Sequence, residues 1–68
     1  MDITLTPRQQ EILNLLLKTG ASNKHLARTL NISESTVKLH ITHIIRKYNV
    51  RSRLQLITFC QKELTSHL

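Results

Sequence analysis

An all-α fold, a compact bundle of four short helices, is what this sequence predicts, and three observations carry it. Apolar residues recur three and four positions apart through much of the chain, a spacing that places them on one side of a helix. Hydroxyl residues suited to capping a helix N-terminus precede four such stretches, at Thr6, Ser22, Ser33 and Ser52. Residues that tolerate a left-handed backbone, Gly20, Asn31 and Asn49, follow the first three.

Thr6-Pro7-Arg8-Gln9 joins a capping hydroxyl, a proline at the first helical position and a glutamine three residues after the cap, so the first helix is expected over 7–19. Ile12, Leu13 and Leu16 form its apolar side, broadened by Leu15 and Leu17. A second, short helix is expected over 22–30, with Leu26, Ala27 and Leu30 on one side. Asn31-Ile32-Ser33 leaves a three-residue turn before the third helix, 34–48, where Glu34 in the first turn suits the helix dipole. At about 100° per residue, Val37, Ile41, Ile44, Ile45 and Tyr48 share one arc of that helix and face the core. Ser35, Lys38, Leu39, Thr42, Arg46 and His43 share the opposite arc. Ser52-x-x-Gln55 repeats the capping-box pattern and opens a fourth helix over 53–65. There Leu54, Ile57 and Leu64 make one stripe, while Leu56 and Phe59 point to the other side with Cys60 between them. A single core contact needs only one of these faces, so the surplus is expected to serve self-association.

The 68 residues make one domain, 1–68, which buries only about 60% of the surface of its unfolded chain and leaves little room for a catalytic cleft. No clustered carboxylates, glycine-rich phosphate loop or nucleophile with an adjacent base suggests an enzyme. One cysteine allows no internal disulfide, and no apolar run is long enough to span a membrane, so the cytoplasm is the default compartment. His40 and His43 stand three residues apart, but no cysteine or acid nearby in sequence completes a metal site; neither metal nor cofactor is expected.

The formal charge of +6 points to a polyanionic partner. Its distribution is more informative: no acid occurs from Ser35 to Lys62, a stretch holding Lys38, Arg46, Lys47, Arg51, Arg53 and Lys62. A short helix, a tight turn and a longer helix with a basic outer face match the helix-turn-helix plan, in which the second of the two helices enters the major groove of double-stranded DNA. Lys38 suits guanine O6 and N7, Leu39 a thymine methyl, and the Thr42 hydroxyl either a donor or an acceptor on a base edge. Lys24, Ser35, Thr36, Arg46 and Lys47 lie where phosphates would pass, with His43 at the rim. Arg51 and Arg53, beside a helix start, fit capping or a structural ion pair as well as they fit DNA. The competing reading is a small adaptor that binds a protein partner through Leu56, Phe59 and Cys60, its charge incidental.

Leu5-Thr6-Pro7-Arg8, Gly20-Ala21-Ser22-Asn23-Lys24, Leu26-Ala27, Ser33 through His40, Lys47, Val50 and Arg53 together resemble the LuxR/NarL/GerE DNA-binding domain, from Leu5 to about Cys60. The segment Ser33 through His40 is similar to the nitrate-response branch. The resemblance implies a transcription regulator of the response-regulator type whose third helix reads bases through Lys38, Leu39 and Thr42. It also implies phosphate contacts that include Asn23, and a homodimer on paired half-sites, formed through the fourth helix by Leu56, Phe59, Cys60 and Glu63. Such a dimer could assemble only on DNA, and RNA polymerase is a candidate further partner. Typical relatives join this domain to an N-terminal receiver or ligand-binding domain, so the chain is expected to be the C-terminal part of a longer regulator or a stand-alone small one. Gln9 and His25 stand where the family usually has glutamate, Tyr48 where it has leucine, and Leu56 where it has alanine.

Overall fold

The computed structural model describes residues 3–65, with side chains described as far as Gln61. The helices are α1 (Pro7–Thr19), α2 (Asn23–Leu30), α3 (Glu34–Tyr48) and α4 (Arg53–Thr65), with no strand among the described residues. The all-α expectation therefore holds, and the boundaries differ at one residue. Ser22 is the cap of α2 and not its first helical residue, because its backbone is extended and its hydroxyl accepts from His25 N at 3.3 Å.

Each start is held by the hydroxyl foreseen for it. On α1 the capping box is reciprocal: Gln9 N donates to Thr6 Oγ1 at 3.2 Å, and Thr6 N donates to Gln9 Oε1 at 3.1 Å. Ser33 Oγ receives Thr36 N at 3.1 Å on α3, and Ser52 Oγ receives Gln55 N at 3.1 Å on α4. The box on α4 is shifted by a residue, since the Gln55 side chain accepts from Arg51 N and not from Ser52. Asn31 and Asn49 both take the left-handed conformation that closes a helix. Behind them Ile32 N donates to Ala27 O at 3.0 Å and Val50 N to Ile45 O at 3.2 Å, bonds that turn two apolar residues back onto the core. The turn between α2 and α3 is thereby fixed in length and direction.

The core draws on all four helices: Ile12, Leu13 and Leu16 from α1, Leu26 and Ala27 from α2, Val37, Ile41 and Ile44 from α3, and Leu56 and Cys60 from α4. The first, second and fourth helices all pack on α3, so its inner side is clamped and its outer side is left to solvent. Ile45 and Tyr48, expected in the core, are partly buried at its edge, where the Tyr48 ring meets Phe59 edge-on with centroids 5.8 Å apart.

The reading of α4 requires correction. Leu56 is fully buried and Cys60 nearly so, which removes both from any surface offered to a partner, whereas Leu54 is 72% exposed. The surplus apolar face consists of Leu54 and Phe59. Glu63, also expected at a dimer seam, and Leu64 have side chains outside the described residues.

Arg53 sets the rotation of α4. Its guanidinium donates to Asn23 Oδ1 and to Ala21 O, tying the first residue of α4 to the loop that enters α2. Burial pushes this guanidinium below its usual range, and it remains charged at neutral pH. Arg53→Ala is expected to cost about 1.5–3 kcal/mol, because hydrogen bonds from a charged donor are lost and two acceptors are left without it. Thermal unfolding followed by circular dichroism checks this, and a loss below about 0.5 kcal/mol, the ordinary surface range, would show the tether to be ornamental.

Candidate nucleic-acid interface

The acid-free half of the sequence becomes a surface because α3 is clamped on one side only. Lys38 and Leu39 are exposed on its outer side, Leu39 at 55%, and Thr42 is half-buried one turn further along. Ser35 and Arg46, at the two ends of the same stripe, are exposed, and His43 is half-buried at its flank. The side chains of Lys38 and Arg46 have no hydrogen-bond or ion-pair partner among the described residues. The one ion pair there, Arg8 with Glu11 at 2.8 Å, lies on the exposed side of α1. The outer face of α3 thus keeps its positive charge uncompensated, the condition for attracting a polyanion.

Lys24 is exposed in the first turn of α2 and likewise has no side-chain partner among the described residues. Thr36 is half-buried, and its hydroxyl lies 2.8 Å from that of Ser33, so it supports the cap of α3. Thr42 Oγ1 donates to Lys38 O at 2.9 Å, which uses its one hydroxyl proton inside the helix.

Two residues expected at phosphates are engaged elsewhere. Lys47 Nζ donates to Thr4 O at 2.9 Å and to Gln9 Oε1 at 2.8 Å, fastening the segment before α1 to the end of α3. Asn23 spends its carbonyl oxygen on Arg53. Gln9, 5% exposed, accepts from both Thr6 N and Lys47, so one neutral amide bridges the start of α1 and the end of α3. The Lys47–Gln9 link was not foreseen, since it joins positions 38 apart; the sole hint in the sequence is that a residue three after the cap reaches back toward the chain entering the helix.

His40 is half-buried with its Nδ1 enclosed and without a hydrogen-bond partner. Among the described residues no three His, Cys, Asp or Glu side chains gather as metal ligands would. No described helix is long and apolar enough to cross a membrane.

Val50, Leu54, Gln55, Thr58 and Phe59 line an open groove of about 360 Å³ along α4. It coincides with the surplus apolar face of α4 and lies on a different helix from the basic stripe.

A family profile described as bacterial regulatory proteins, luxR family, matches residues 3–60. The chain is similar to the nitrate/nitrite response regulator protein NarL of Escherichia coli, with 42% identity over 59 residues that cover 87% of this chain and 27% of the relative. It is 54% identical over 50 residues to the nitrate/nitrite response regulator protein NarP of the same species, covering 74% of this chain and 23% of that protein. A third relative, the CsgBAC operon transcriptional regulatory protein of E. coli, is 45% identical over 60 residues, 88% of this chain and 27% of its own length. The chain spans about a quarter of the length of these curated relatives.

Proposed function

The chain belongs to the luxR family of bacterial regulatory proteins, and on that premise we propose that it binds double-stranded DNA sequence-specifically as the DNA-binding part of a transcription regulator. The outer face of α3 enters the major groove, where Lys38, Leu39 and Thr42 meet base edges. Lys24, Ser35 and Arg46 meet phosphates, with His43 at the rim. Thr36 and Asn23 act by holding the ends of α3 and α2, and Lys47 by holding the entering chain.

The observation that carries this reading is the state of Lys38 and Leu39. A cation without a partner among the described residues and a leucine 55% exposed stand side by side on the second helix of a helix-turn-helix, on a stretch without acids. A solvated helix face ordinarily mixes both signs of charge and carries fewer exposed large apolar groups.

We further propose that two copies pair through α4, with Leu54 and Phe59 at the centre of the seam in place of the buried Leu56 and Cys60. Groove and exposed apolar residues coincide there, and a seam on α4 uses none of the residues proposed to meet DNA on α3. Pairing of this kind can be confined to DNA, where two half-sites raise the effective concentration.

Binding to a randomised duplex pool, with the bound fraction sequenced at two salt concentrations, tests both proposals. A short enriched half-site, recurring as a spaced pair, is expected, and log K should fall with log salt by about 0.9 per phosphate neutralised. Salt-sensitive binding without enrichment would reject base reading. Absence of binding at low salt would favour a protein-binding adaptor.

A further inference from the structure

We propose that Thr42 and Leu39 form one methyl-reading patch, so that each half-site is selected by thymine methyl groups beside a guanine read by Lys38. This deepens the DNA-binding reading above and rests on it.

A threonine on a recognition helix has two chemistries to offer. Its hydroxyl can donate to a base acceptor or accept from an exocyclic amine, and its methyl can pack against an apolar surface. Here the choice is made within the helix. Thr42 Oγ1 donates to Lys38 O at 2.9 Å, the back-bond to the carbonyl four residues earlier that helical threonines can form. The hydroxyl has a single proton, so guanine O6 and N7, adenine N7 and thymine O4 receive nothing from it. The same bond holds the oxygen against the backbone and leaves the methyl as the part of the side chain turned away from that carbonyl.

Leu39 lies one turn before Thr42 on the same stripe, exposed and wholly apolar. At a three-residue spacing the two side chains are neighbours on the helix surface. Their combined surface meets its match in the major groove at the C5 methyl of thymine, the one methyl group that the four unmodified bases present there. Lys38, to one side of the patch, is then the sole hydrogen-bond donor to a base edge among the three, and its ammonium suits guanine.

The test uses the duplex recovered from the randomised pool, with single thymidines replaced by deoxyuridine. That change removes one methyl and keeps every hydrogen-bonding group. Deoxyuridine at the positions facing the patch is expected to weaken binding about fourfold for each methyl lost. Thr42→Val keeps the methyl without the hydroxyl and should retain both affinity and the response to deoxyuridine. Thr42→Ser keeps the hydroxyl without the methyl and should lose the response at one position, and Leu39→Ala should lose it at the other. Binding of each variant to random duplex shows that the fold survives. Indifference to deoxyuridine at every position would overturn the patch while leaving sequence-specific binding intact. So would a tenfold loss in Thr42→Val with Thr42→Ser unaffected, because the hydroxyl would then be the reader. A pool with no enriched sequence would overturn base reading itself, a distinct result.

Discussion

Leu56→Ala is expected to destabilise the chain by about 2–5 kcal/mol, the range for truncating a fully buried leucine and leaving part of its volume empty. Leu56 is 0% exposed on the inner face of α4, packed with the residues that α1 and α3 contribute to the same core. A domain of this length holds only about 3–10 kcal/mol in total, so the variant should lose a large share of its stability. The neighbouring control is Leu54→Ala. With Leu54 72% exposed, its truncation should change stability by no more than about 0.5 kcal/mol. Thermal or urea unfolding of the two variants side by side measures the orientation of α4 directly. Comparable losses, or a larger loss at Leu54, would reverse the helix and restore Leu56 to the surface. Sedimentation at rising concentration adds the complementary readout, because Leu54→Ala should weaken self-association that depends on the α4 groove.

The orientation of α4 was the part of the fold least legible in the sequence, and the reason is physical. Leu54, Ile57 and Leu64 make a helical stripe, and so do Leu56, Phe59 and Cys60. Periodicity locates a face without saying which of two faces turns inward. The decision lies in long-range terms: the Arg53 guanidinium anchored on Asn23 and Ala21, and the space that α1 and α3 leave for a leucine. The first three helices offered no such ambiguity. Each has one apolar stripe, a hydroxyl at its start and a left-handed residue at its end, and all of these are local signals. The outer face of α3 was legible for the same reason, since subtracting the core stripe leaves Lys38, Leu39, Thr42 and Arg46 outside. Hidden from the sequence was the internal use of polar groups that look free on a helical wheel. Lys47 bonds a segment 43 residues away, Asn23 one 30 residues away, and Thr42 turns its proton back into its own helix. A wheel records direction only, whereas the function of a polar head depends on what it reaches.

Lys38→Ala is expected to weaken binding to the recovered half-site by about 1–3 kcal/mol, roughly tenfold to a hundredfold, and to change binding to random duplex far less. Arg46→Ala should weaken both alike and lower the salt slope by about one. The two residues share the outer face of α3 and the same lack of partners among the described residues, so charge alone would predict the same loss for both. Position separates them. Lys38 stands beside the methyl patch in the second turn of α3, where in the proposed complex base edges come within reach. Arg46 lies two turns further on, in the last turn of α3, where in the proposed complex a strand backbone passes. Both are exposed, so neither truncation should disturb folding, and an unchanged unfolding midpoint assigns any loss to the interface. Titration of each variant against the recovered site and against random duplex at two salt concentrations reads out the difference. Equal losses on the two duplexes for Lys38→Ala would move that residue to the phosphates. A loss confined to the recovered site for Arg46→Ala would place the base-reading centre a turn or more toward the C-terminus of α3. The deoxyuridine response should follow the same geometry: it should persist in Arg46→Ala and, if Lys38 orients the helix over its guanine, fade in Lys38→Ala along with specificity.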